Sequence, residues 1–250
     1  MDNYYIPQEN QLTRFVQLHG GEDEIALTLE PDSRLDLYCV EQEGGRRNVV
    51  IDLHERAVLN LVTLTLHEGE SHLRLHVRLL GEGAEVSLNG AVIGSGTMQS
   101  EQDLLVEHCV PGCSSTMLFK QVLGADSRGY LSGRVLVDSG AQQTTSEQTF
   151  ASLLTSSMAR AQALPQLAIY ADDVKCNHGA TVGKLDEAAL FYMRQRGIST
   201  KEARMLLMLA FLSEVLDRIS LDPLRSRLTG LVELRLRHGQ SKCDGCNVCK

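Results

Sequence analysis

The chain has 250 residues, 43% of them apolar, enough for one large core or two modest domains and too many for a disordered adaptor. Its 24 Lys and Arg against 32 Asp and Glu leave a net charge of −8, which repels a phosphate backbone and argues against direct nucleic-acid binding. "MDNYYIPQENQLTRF" has neither a basic start nor an apolar block, the longest apolar run is only Met205 to Leu212, and an odd count of seven cysteines suits a reducing compartment, so the expectation is a cytoplasmic protein with no membrane segment.

From about Asp32 to Gly140 the sequence alternates with the strand period, in "RLDLYCV", "NVVIDL", "LNLVTLTL", "SHLRLHVRLL", "AEVSLNG" and "GYLSGRVLV", broken by Gly, Ser and acidic residues. In "SHLRLHVRLL", Leu73, Leu75, Val77 and Leu79 face one way, and His72, Arg74, His76 and Arg78 the other, as in a half-buried sheet with a solvated face. Cys39, Cys109 and Cys113 stand among apolar neighbours and read as small core hydrophobes. A faint echo runs through this region. "SLNGAVIGSG" around Gly90 recurs as "YLSGRVLVDSG" around Gly133, an offset of 43, and "QSEQ" near Glu101 recurs as "TSEQ" near Glu147, an offset of 46. A drifting spacing suits the coils of a parallel β-helix, and a two-sheet sandwich would show the same pattern, so periodicity says all-β and leaves both open.

In "YADDVKCNHGATVGKLDEAALFY" the strand pattern gives way to helix. If "DVKCNH" is extended, Val174, Cys176 and His178 project to one face and Lys175 and Asn177 to the other. A thiol and an imidazole then share a face, and both are soft or borderline ligands for iron, zinc or copper. A nucleophilic Cys-His couple is the rival reading, without an evident orienting third group. "GATVGKL" is a near miss to a phosphate-binding loop, with three residues between the glycines instead of four and Leu185 after the lysine instead of Ser or Thr. The expectation is that this chain binds no nucleotide itself.

Beyond Gly183 the period becomes helical. A first helix is opened by Asp186 and closed by Gly197, and a second starts on Ser199 with Glu202 three residues on, the pattern of a capping box. A third begins at Asp222 and Pro223 and carries Leu224, Leu228 and Leu231 on one stripe. The second helix is apolar all round from Met205 to Leu212, so it must be covered on more than one side, by its own sheet and sister helices or by a partner. The chain ends in "KCDGCNVCK", where Cys243, Cys246 and Cys249 offer three possible metal-binding thiols flanked by Lys242 and Lys250. Three are one short of a ferredoxin cluster, which suits transient metal capture or free thiols better than a permanent centre.

"QLAIYADDVKCNHGATVGKLDEAALFYMRQRGISTKEA", with "VEHCVPGCSSTMLFKQVLGADSRGYLSGRVLVDSGAQQTTSEQTFASLLTSS" before it, resembles the SufB/SufD family of the SUF iron-sulfur cluster assembly system, over roughly residues 85 to 220. "HGATVG" is closer to the SufD version, because the SufB version has a glutamate where this chain has Gly179. The resemblance implies a mainly β fold: a right-handed parallel β-helix core, over 1–183, followed by a small C-terminal α-helical module over 184–240 and the cysteine tail over 241–250. The N-terminal helical region usual in the family has no counterpart in this reading.

The resemblance also implies a non-enzymatic scaffold subunit that pairs with a SufB-like protein, or forms a homodimer, and docks a SufC-like ATPase. It implies a transient iron-sulfur cluster at a subunit interface, with His178 as the ligand this chain supplies and Cys176 as an accessory to it. The expected docking surface for the ATPase uses Leu190, Phe191, Tyr192, Arg194, Arg196, Met205, Met208 and Phe211. The readings set against it are a β-helix enzyme, which lacks the hexapeptide repeats or acidic clusters it would need, and an electron carrier built on the tail.

Overall fold

The computed structural model describes residues 2–239. Two seven-stranded sheets are wound from alternate strands of the chain. One holds β1 (Asp2–Ile6), β3 (Gly21–Leu29), β5 (Gly45–Leu53), β7 (Glu70–Leu79), β9 (Gln99–His108), β11 (Arg128–Val137) and β13 (Arg160–Ile169). The other holds β2 (Gln11–Leu18), β4 (Arg34–Glu41), β6 (Val58–Thr65), β8 (Glu85–Gly94), β10 (Ser114–Leu123), β12 (Thr144–Leu154) and β14 (Val174–Lys184). Neighbours in each sheet pair in parallel, for example β10 with β12 and β11 with β13. This is the parallel β-helix implied by the resemblance, and the parallel pairing rules out the sandwich that periodicity alone had left open, whose sheets are antiparallel.

Inward-facing side chains of both sheets form the lumen core, including Leu29, Leu53, Leu79, Leu88, Val106 and Val135, and Leu75 and Val77 lie there as their alternation predicts. On the outer face, His72 and His76 are held by acidic partners on β9, with His72 Nδ1 3.0 Å from Glu101 and His76 Nε2 2.9 Å from Glu107. Arg78 pairs with Asp52 of β5 at 2.5 Å. The solvated face therefore carries a ladder of polar and ionic pairs between adjacent strands.

One coil spans between 23 residues, as from Gln11 to Arg34, and 32, as from Arg128 to Arg160. The echo of 43 residues is not that repeat: Gly90 is on β8 of one sheet and Gly133 on β11 of the other, about a coil and a half apart. What recurs is a packing device. A Cβ at Gly90 would lie 2.3 Å from the ring of Phe119, and one at Gly133 2.2 Å from the ring of Phe150, so each glycine makes the space a phenylalanine fills. The two rings then meet edge to face with centroids 6.2 Å apart.

Three helices follow β14: α1 (Glu187–Gln195), α2 (Thr200–Leu216) and α3 (Asp222–Gly239). Asp186 caps α1 by accepting from the N–H groups of Ala188 and Ala189, and Gly197, at φ +84°, turns the chain out of it. Ser199 caps α2 by accepting from the Glu202 N–H, but the reciprocal half of the expected capping box is not among its hydrogen bonds, because the Glu202 carboxylate is taken by Arg237 of α3 at 2.6 and 2.9 Å.

The helices fold back over the outer face of the second sheet. Met205, Met208, Leu212, Leu228 and Val232 pack there against Tyr38, Val62, Leu64, Ile93 and Leu118. Hydrogen bonds staple the two layers together, from Lys120 Nζ to the Phe211 carbonyl at 2.9 Å, from Arg204 to the Thr155 carbonyl at 2.8 Å and between the hydroxyls of Tyr38 and Ser220 at 2.8 Å. The chain's own sheet and sister helices thus cover much of α2, while Leu206 stays 37% exposed. No described helix is long and apolar enough to cross a membrane.

Candidate functional site

The last strand, β14, pairs with β12 in a register that sets Val174 beside Thr144, Cys176 beside Ser146 and His178 beside Gln148. Thr144, Ser146 and Gln148 are buried in the lumen, while Thr145 and Glu147 between them are exposed. Cys176 and His178 therefore share the inward face, as their two-residue spacing predicts. Among the described residues no strand follows β14 in its sheet, and so this inward face is open there. Cys176 is half-buried and His178 exposed.

Burial pushes the Cys176 thiol up, while the Ser146 backbone N–H beside its sulfur pulls the other way. The same strand contains "GATVGK", drawn out as extended chain and not as a loop wrapped around a phosphate. Among the described residues no three His, Cys, Asp or Glu side chains converge closely enough to hold a metal ion. Cys176 and His178 offer one soft and one borderline ligand on the inward face of this last described strand.

The other cysteines are separate from this pair. Cys39 faces inward on β4 with its thiol pushed up to about 12 by burial, and Cys113 is buried in the turn before β10, where it donates to the Gly81 carbonyl at 3.3 Å. Burial also raises Cys109. Cys243, Cys246 and Cys249 lie outside the described residues.

The residues singled out on the helices divide into two groups. Leu190, Met205 and Met208 are enclosed in the chain's own core, and Phe211 is partly covered, with Lys120 Nζ 4.8 Å from its ring centroid. Phe191 is 61% and Tyr192 59% exposed, Arg194 and Arg196 are exposed, and the Arg196 guanidinium lies 5.0 Å from the Tyr192 ring centroid.

One group near the site escaped the sequence reading. His108 Nε2 is 2.8 Å from Ser115 Oγ, and Ser115 donates to Ser146 Oγ, also at 2.8 Å. All three are buried. The signal was the echo itself: "QSEQ" and "TSEQ" place Ser100, Gln102, Ser146 and Gln148 at inward positions, a polar lining where alternating strands normally put aliphatics.

Residues 18–211 match the family model described as "SUF system FeS cluster assembly, SufBD core domain". The chain is similar to the iron-sulfur cluster assembly protein SufD of Escherichia coli strain K12, with 32% identity over 162 residues, 65% of this chain and 38% of that protein. It is similar to an iron-sulfur cluster assembly SufBD family protein of Synechocystis, 34% over 175 residues, covering 70% of this chain and 39% of the relative. A SufBD family protein of Mycobacterium leprae is 31% identical over 198 residues, 76% of this chain and 50% of the relative. The chain thus spans between 38 and 50% of the length of these relatives.

Proposed function

The chain belongs to the SufBD family of the SUF iron-sulfur cluster assembly system, and on that premise we propose that it is a scaffold subunit, not an enzyme, that contributes His178 and Cys176 to a cluster built at an interface with a SufB-like protein. The observation that carries this reading is the incompleteness of the pair. Two ligands lie at the open end of the coil, no third converges on them among the described residues, and the remaining ligands of a cluster seated there are assigned on this reading to the SufB-like partner. The cluster is cargo. Its neutral imidazole ligand holds iron less tightly than a further thiolate would, which suits a subunit that must let its product go.

A SufC-like ATPase docks on the helices through Phe191, Tyr192, Arg194 and Arg196, the members of the expected surface that are exposed. That ATPase binds the nucleotide. The enclosed Leu190, Met205 and Met208 hold this surface in shape from beneath, and Phe211 does so beside Lys120. Cys243, Cys246 and Cys249 capture metal transiently before or after the interface does. The complex works in the cytoplasm, and a second copy of this chain takes the SufB-like place if the working core is a homodimer.

Co-expression with the SufB-like and SufC-like proteins of the same organism tests this. The complex should co-purify carrying iron and acid-labile sulfide. His178→Ala should lower both by roughly tenfold without breaking the assembly, and Cys243/Cys246/Cys249→Ser should lower them less. Failure to associate would sink the scaffold reading, and full iron and sulfide in His178→Ala would remove that residue from the site.

A further inference from the structure

The inward row that ends at Cys176 changes character along the coil. Its members, in register from strand to strand, are Leu12, Leu35, Leu59 and Val86, then Ser115, Ser146 and Cys176. Four aliphatic positions give way to two hydroxyls immediately before the cysteine. On the facing sheet the row Leu29, Leu53, Leu79, His108, Val137 and Ile169 is aliphatic apart from His108, and it is His108 that reaches across the lumen to Ser115. Burying one imidazole and two hydroxyls in the lumen is unfavourable unless they satisfy one another.

Their donors point one way. Ser115 gives its proton to Ser146 Oγ, so it can only accept from His108, whose ring carries its proton on Nε2. Ser146 Oγ accepts that bond and still has a proton of its own to donate. The next group on its row, about 4.8 Å along, is Cys176, in register with Ser146. We propose that His108, Ser115 and Ser146 form a one-way file of hydrogen-bond donors that positions Cys176 from inside the coil and directs an O–H at its sulfur. The inference rests on the reading that Cys176 takes part in cluster assembly. The file supports that sulfur from the lumen side, leaving the open side to iron and the partner chain.

The S–H stretching band of Cys176, assigned by its loss in Cys176→Ser, tests the file in the isolated chain with no cluster present. Ser146→Ala should shift the band, and His108→Leu, two residues removed, should shift it in the same direction. Ser146→Thr, which keeps the hydroxyl, should leave it in place. His108→Asn, smaller but still a donor, serves if His108→Leu fails to fold, and should shift the band less than Ser146→Ala does. A band unmoved by Ser146→Ala overturns the proposal, and so does one that responds to Ser146→Ala while ignoring both changes at His108. In the co-purified complex, Ser146→Ala should cut iron and acid-labile sulfide about tenfold with association intact, and Ser146→Thr should restore them. If Cys176→Ala itself leaves iron and sulfide unchanged, the role given to Cys176 fails even where the band shifts show that the file exists.

Discussion

His108 is neutral because it is buried: its ring is held down at about 4 against an ordinary 6.5, with desolvation as the cause. Unfolding returns it to the ordinary value, so between those limits the unfolded chain binds a proton that the folded chain refuses. The stability this contributes is complete above about pH 6.5 and is lost as pH falls toward 4, a swing of about 3 kcal/mol at ~1.4 kcal/mol per pH unit. Urea unfolding at pH 7 and at pH 4.5 should show that fall in the parent chain and a much smaller one in His108→Gln. Glu41 adds a fall at lower pH. Its carboxylate, held below the usual range by His67, Ser71 and Arg47 against the cost of burial, stabilises the fold above its unfolded value and loses that contribution as it is protonated. At this scale the sequence was informative where a residue's role depends on near neighbours. Cys176 and His178 share a face because they are two apart on a strand. His108 acts through Ser115 across the lumen, a partnership that exists only once two sheets face each other.

Leu212 is wholly buried between α2 and the outer face of the second sheet. Leu212→Ala should cost about 2–5 kcal/mol by chemical denaturation, and amide exchange should quicken first in α2 and α3 while the lumen-facing strands stay protected, because the helices are a layer held on from outside. The elements were unevenly legible in advance. Those from β4 to β8 and β11 alternate cleanly, since one face packs in the lumen and the other meets solvent or a helix. The strands β1 to β3 are polar or exposed along much of their length, and on β13 and β14 even the inward face lacks a covering neighbour, so the binary pattern fades at both ends of the coil. Helix starts could be read from Asp186 and Ser199, whose caps are local. The fate of Glu202 could not, because Arg237 reaches it from another helix.

At the scale of the whole molecule, the described residues leave the outer edges of β13 and β14, and of β1 and β2, without a paired strand. Such edges invite pairing with any other strand. The isolated chain should therefore grow in apparent mass with concentration in light scattering, and Val182→Lys, which turns a charge inward on the half-exposed edge of β14, should keep it monomeric with its far-ultraviolet spectrum unchanged. Parallel pairing was the global feature periodicity did not encode, since alternation records which face is buried and says nothing of which strand lies alongside. The fold-back of the helices bears on how the protein is made. Tyr38, on β4, is sealed by Ser220, 182 residues later in the chain. During synthesis the early coils can stack as they emerge, yet their outer apolar face stays bare until α2 and α3 have left the ribosome. Closure across so long a stretch of chain is slow, and over that interval Val62, Leu64 and their neighbours are open to any other apolar cover.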